Sequence, residues 1–435
     1  AAAEQAAGRH AYEDAVVWWR RAVDTHGRLP DADPVRHVEL LLSLVRAQLD
    51  AGDGSGARET RSDAVLAADR TGDPALAARA LTSLEAPGLW KFHTYGDVEL
   101  RVVERIESTL ERLPEGDSEL RCRLLGCLGM ERYDGSADPR CDTATAEALA
   151  MARRLTANGA DRRLLAISLN ARYQGIQLAE RMHELDDIAG ELTGLGYPGF
   201  ELLGRLIQER TRLELYDVRG ADEAADRAGR LVERLDLPWP RFQHLLYLGS
   251  RRLIEGDVAG AEEAYTTAAE AGERLNLWHT QSALASVLVA VDLFAGRPVE
   301  EELLEGFSPF PGHRQLVRIL SAKFAGDAEA LAAFRQESPH ELPRDFGELP
   351  GLCYAGLARQ ALGDEEGCRR VYGRLLPYED RLAIGQATFP TGPVGYFLGL
   401  LAEDPKARRA HFARAAERCA RAGLTWWAER AASAR

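Results

Sequence analysis

Two histidines stand directly before a glutamate, His183–Glu184 and His340–Glu341. This pairing opens the helix of zinc hydrolases, where a second histidine four residues on completes the metal pair and the glutamate serves as general base. Positions 187 and 344 hold Asp and Arg, so both histidines read as surface or helix-capping residues. A nucleotide-binding loop needs a lysine after a glycine to reach the phosphates. The lysines are Lys91, Lys323 and Lys406, and none follows a glycine. The run DAGDGSG at 50–56 imitates the start of a calcium loop but lacks the bidentate acid at the twelfth position, and reads as a turn. A GxSxG nucleophile elbow is absent too. The expectation is a protein without catalytic residues, cofactor or metal.

What remains is recognition chemistry. Asn170, Arg172, Tyr173 and Gln174 place an amide, a guanidinium, a phenol and a second amide within one turn or so of a helix that is otherwise apolar. Arg210, Arg212, Arg241, His244, Trp278 and His279 extend that surface, although tryptophan at helical spacing also serves a core. A groove of arginine and aromatic side chains suits a peptide segment or a small anionic ligand. Burying an unpaired guanidinium is costly, so Arg172 either faces solvent in a concavity or meets an acid from a neighbouring hairpin. The segment LWKFHTYGD at 89–97 is unlike a plain apolar helix and reads as a corner between repeats whose rings cap the core.

The elements that would carry these side chains are helices. In AYEDAVVWWRRAV, Ala15, Trp19 and Ala22 put a small, a large and a small residue on one helix face. That is the packing code of the second helix in a tetratricopeptide hairpin, and it returns as Ala261, Tyr265 and Ala268. Gly256–Asp257 forms the tight turn before the second copy. Looser copies follow Ala51–Gly52–Asp53, Arg219–Gly220–Ala221, Ala325–Gly326–Asp327 and Leu362–Gly363–Asp364, and another surrounds Phe412 and Ala415. Ala15 to Ala57, Ala224 to Ala261 and Ala330 to Gly367 give periods of 42, 37 and 37 residues, longer than the standard ~34. Strand signals are nearly absent. The fold class is therefore all-α: a tetratricopeptide-like α-solenoid of about ten helical hairpins forming a right-handed superhelix.

Proline-rich stretches at 236–241, 308–313, 338–350 and 388–393 read as irregular connections. The third divides a main superhelix, 1–337, from C-terminal hairpins at 338–435 that continue the array. The hairpin before it, around Phe324 and Phe334, looks short.

A formal net charge of −14, from 54 basic and 68 acidic residues, opposes direct contact with nucleic acid or anionic membranes. No apolar run reaches the ~18 residues of a membrane span, and the N-terminal residues do not read as a charged-then-apolar leader. Six cysteines without metal-ligand spacing (Cys122, Cys127, Cys141, Cys353, Cys368, Cys419) read as reduced thiols of a cytoplasmic protein. The chain starts inside an alanine-rich helical pattern without methionine, as a piece of something longer would.

Three segments carry a family resemblance: YGDVELRVVERIESTLERLPEGDSELRCRLLGCLGME (95–131), EALAMARRL (147–155) and LNARYQGIQ (169–177). Together with the first and last repeats, they resemble the C-terminal region of large actinobacterial regulators of the SARP type. Solitary STAND ATPases and LuxR-type regulators share this region. The resemblance implies a tetratricopeptide sensor that follows a DNA-binding unit and a STAND-class ATPase. It would control them by protein–protein contact in a transcriptional activator of secondary metabolism, such as antibiotic biosynthesis. The alternative is a stand-alone peptide-pheromone receptor or scaffold.

Overall fold

Aspartates set the helix starts. In ten helices the first residue follows an aspartate whose carboxylate accepts a backbone N–H of the first turn, as Asp53 does from Gly56 and Asp257 from Gly260. Such a cap is worth about 1 kcal/mol and answers a donor that the helix cannot satisfy internally. Four of these aspartates precede a proline at the first helical position, where a missing N–H costs nothing. Part of the acid excess is thus structural.

In a computed structural model the residues described are 1–91, 96–276, 278–308, 310–385 and 389–434, the side chains of Trp278 and His279 excepted. They form twenty-three α-helices that pack neighbour to neighbour as antiparallel hairpins, an all-α solenoid. Examples are Pro198–Glu214 with Val218–Leu235, and Pro238–Ile254 with Val258–Gly272. The predicted code is visible in the second pair. Ala261, Tyr265 and Ala268 are buried, and Tyr265 lies so close to Gly249 that a Cβ there would sit 2.3 Å from its ring. The Tyr265 hydroxyl is 3.0 Å from Ser250 Oγ. Ala261→Leu is expected to lower stability by ~1–3 kcal/mol through overpacking; urea unfolding indistinguishable from the parent's would show the helix contact to be misassigned.

Gly52, Gly256, Gly326 and Gly363 adopt left-handed φ at the expected turns. The turn placed at Arg219–Gly220–Ala221 is corrected. There the left-handed residue is Tyr216, and Gly220 lies inside the next helix, its N–H capped by Asp217. The proline-rich stretches are corrected as well. Pro238 and Pro311 open helices, and Pro350 lies in the first turn of Glu348–Leu362. The fourth stretch pairs as strand Phe389–Pro393 with Leu382–Gly385, a two-stranded antiparallel hairpin with a register shift at Ala383/Ile384. As expected, the hairpin around Phe324 and Phe334 is short, its second helix being only Ala328–Phe334. An apolar core runs without a break from Leu213 to Ala431, across 338–350.

The coil is wound so tightly that its turns touch. Gly52 O accepts from Asn276 N, Asn276 O accepts from Ser55 N, and the Tyr12 hydroxyl donates to Leu235 O, 223 residues away. A Cβ at Gly52 would lie 2.7 Å from Leu275. Further on, Arg344 N donates to Gly135 O, and Arg344 pairs with Glu180 at 2.9 Å.

Candidate functional site

The inner face of this coil is covered by the chain itself. After the helix Pro74–Leu81 the backbone crosses the inner helices as a strap over 82–91. The Asn170 amide donates to Ala86 O at 3.0 Å and the Gln174 amide to Gly88 O at 2.8 Å. Leu89 is buried, and Trp90 meets Trp239 edge-on with ring centres 5.2 Å apart. From the other end of the chain, the paired strands Leu382–Gly385 and Phe389–Pro393 pack on the helices Pro198–Glu214, Pro238–Ile254 and Trp278–Ala295. Phe389 reaches Phe307 and Tyr354.

The residues singled out for recognition therefore occupy several different settings. Asn170 and Gln174 hold the strap. Tyr173 is fully buried, and Arg172 sits in an ion-pair ring: it meets Asp142 and, at 2.9 Å, Glu184, both of which also bind Arg181. Burial opposes the charge of Asp142, but the two guanidiniums hold its carboxyl below the usual range. Arg210 is buried with Glu214 4.0 Å away. Arg212 donates to Gly220 O, and Arg241 is exposed near Asp236. His244 Nδ1 lies 2.7 Å from the buried Glu209 carboxylate, and that charge outweighs desolvation to raise the imidazole's pKa. The side chains of Trp278 and His279 lie outside the described residues, as do 92–95 of the predicted corner.

Between strap and hairpin lies a cavity of about 160 Å³. Apolar cavities of about 150 Å³ hold a benzene-sized molecule. Trp90, Tyr133, Phe307, Phe346 and Phe389 make its walls aromatic, with Gln177, Ser282, Ser286, Ser308 and His313 as polar points. His313 is desolvated, which pushes its pKa down to about 4, so the ring is neutral. Ser308 Oγ accepts from Phe310 N and lies 2.9 Å from His313 Nδ1. A serine proton directed at Nδ1 leaves the hydrogen on Nε2, on the side of Gly351, which also lines the cavity.

Lys91 supplies the charge chemistry. Its stem is partly accessible, but Nζ is buried over the face of the Tyr133 ring and makes no hydrogen bond. The Tyr133 hydroxyl is likewise buried without a partner. Burial drives the Lys91 pKa well below its ordinary value, the thiol of Cys141 and the acids Asp345, Asp134 and Glu131 only partly opposing this. Asp345 lies behind the cavity wall, with Oδ1 accepting from Gly347 N, and burial raises its carboxyl to about 7. Lys91 was visible in the sequence as one of three lysines, set between Trp90 and Phe92. Nothing local distinguished a corner from a strap laid across the inner face.

Among the described residues no group of three His, Cys, Asp or Glu side chains could hold a metal, and no helix is long and apolar enough to cross a membrane. No protein-family model and no curated protein matches the chain. Among solved structures it is similar to a "circular tandem repeat protein with novel repeat topology and enhanced subunit contact surfaces", at 17% identity over 97% of this chain and 89% of that one. The TM-score is 0.19, and nothing about the site is drawn from it.

Proposed function

We propose that the chain is a non-enzymatic sensor module in which a small molecule, held in the central cavity, sets the arrangement of the coil. The observation that carries this reading is the cavity's construction. Its walls come from the strap, from Tyr133, from 282–286, from Phe307, Ser308 and His313, from 346–351 and from the two strands, so an occupant would tie together parts of the coil far apart in sequence. A ligand biases a structure only through differential contact with its states, and such a junction supplies that contact. The strap and the hairpin on the inner face weigh against an extended peptide in the groove. Joined to the SARP-type resemblance, the reading is of a regulatory region that restrains or licenses an ATPase and DNA-binding part of the same polypeptide.

The test uses Ala283→Phe, which places a ring in the cavity. In the isolated chain, benzyl alcohol at 100 times its Kd should stabilise the parent by about 2.7 kcal/mol and leave the variant unmoved. In the complete gene product the variant should change reporter activation at least ~5-fold, the lower range of allosteric coupling. A correctly folded variant with unchanged probe binding and unchanged activation rules the sensor reading out.

A further inference from the structure

Two buried polar atoms of the cavity wall, Lys91 Nζ and Tyr133 Oη, have no hydrogen-bond partner. Buried donors are nearly always satisfied, and both orphans belong to side chains that line the cavity without opening onto it, so an acceptor reaches them when those side chains turn toward it. Both atoms belong to one stacked pair, so a single acceptor with two oxygens can span them. Around them the wall is aromatic: Trp90, Phe307 and Phe389. The chain offers no resident counter-ion, since among the described residues no carboxylate forms an ion pair with Lys91. His313, neutral across the cavity, adds no charge of either sign near physiological pH.

We infer that the cavity is a site for a small aromatic monocarboxylate, its carboxylate held by Lys91 Nζ and the Tyr133 hydroxyl and its ring by Trp90, Phe307 and Phe389. The inference rests on the cavity being a ligand site and names the class of ligand. A carboxylate restores to Lys91 the opposite charge that the fold withholds, and a charge-assisted hydrogen bond in a water-poor site is stronger than a neutral one. Binding pairs the Lys91 ammonium with the carboxylate, and since burial works against that charge in the empty site, pairing favours proton uptake from solvent, with no bond to carbon made or broken. The titratable groups acting on Lys91 are the Cys141 thiol, uncharged with its pKa pushed up to about 11, the Asp345 carboxyl, raised to about 7, and the carboxylates of Asp134 and Glu131. Their negative charge favours the ammonium but repels a second anionic group on the ligand, so a monoanion is preferred to a dianion.

Calorimetry with benzoate, benzyl alcohol and benzaldehyde separates the outcomes. Benzoate is expected to bind at least tenfold more tightly than benzyl alcohol, with net proton uptake when the heat is compared in buffers of different ionisation enthalpy. Lys91→Met keeps the stem's length without the charge. It should remove the preference for benzoate, leave benzyl alcohol within about twofold, and raise the melting temperature, because an unpaired buried amine is lost. Equal binding of benzoate and benzyl alcohol by the parent, or benzoate binding retained in Lys91→Met, overturns the carboxylate site while leaving the cavity a ligand site. Labelling of Lys91 by benzaldehyde and borohydride without benzoate binding overturns it in favour of a carbonyl ligand. Binding of none of the three, with Ala283→Phe silent, removes the cavity reading itself and this inference with it.

Discussion

Arg172→Ala is expected to lower the chain's stability by ~3 kcal/mol, the lower end of the cost of breaking a buried ion pair. The guanidinium is 7% exposed and is held on every side: Nε donates to Glu184, and Nη1 to Asp142, to its backbone oxygen at 2.9 Å and to Thr145 Oγ1 at 3.2 Å. Removing it takes one donor from the Asp142 carbonyl and one from the Thr145 hydroxyl, which keep their bond to each other, and leaves two carboxylates sharing Arg181. The figure stays at the low end because Asp142 and Glu184 are 47% and 35% exposed and can recover water. Urea unfolding measures it, with Arg172→Lys falling between the two, since an ammonium cannot reproduce the planar fork. A variant that unfolds with the parent's midpoint would mean that the ring contributes nothing and would return Arg172 to recognition.

Stability is expected to fall as the pH rises from about 5 to 7. Glu214 and Asp345 are buried and Glu85 nearly so, and desolvation raises each carboxyl to about 7 against the partial relief given to Glu85 by Arg123, to Glu214 by Arg210 and to Asp345 by the Gly347 N–H. A raised folded pKa means that the folded state binds more protons than the unfolded chain between the two values. The contribution is therefore fully present below about pH 4 and is lost as the pH climbs through 7. Each carboxyl accounts for on the order of 3 kcal/mol at most. The His244–Glu209 pair acts in the same sense, its contribution present below the imidazole's ordinary value and lost above its raised one. His313 and Lys91 oppose them: the pKa of His313, lowered to about 4, adds stability as the pH climbs toward 6.5 and so offsets part of the fall, and the lowered pKa of Lys91 makes the unfolded chain the better proton binder above neutrality, so stability recovers beyond pH 7. Denaturation midpoints at pH 5, 7 and 9 should pass through a minimum near neutrality. Glu214→Gln should flatten the descending limb and Lys91→Met the ascending one; a midpoint that rises steadily from pH 5 to 7 would contradict the assignment.

The hairpin code was legible wherever local chemistry sufficed. Ala261, Tyr265 and Ala268 lie on one face by spacing alone, and Gly52 and Gly256 fall at positions that demand left-handed backbone. Gly220 misled because a glycine beside a turn looks the same whether it makes the turn or follows the capping aspartate; Tyr216 took the strained conformation instead. Pro238 and Pro311 misled because a proline that opens a helix and one that interrupts it have the same local signature. The site was legible only in part. Asn170 and Gln174 do bind an extended backbone, but the backbone is that of residues 86–88. Which segment of a chain returns to cover its own inner face depends on the curvature summed over many hairpins, and no local spacing records it.

The contact between Gly52 and Asn276 bears on how the chain folds. Ordinary solenoids unfold piecewise, because each repeat touches only its neighbours and their energies add along a line. Here the first hairpins close against residues more than two hundred positions away, and the strap and hairpin bridge further elements, so the line is cross-tied at several points. Loops of that length must close before their contacts return any energy, which slows folding relative to a helical array of purely local contacts. The same ties couple the ends. Trimming hairpins from the C-terminus, harmless in a linear array that keeps its cap, would here remove the strands that pack on Pro198–Glu214 and Pro238–Ile254 and loosen those helices. The molecule is built from repeats, but it is expected to melt as one cooperative unit.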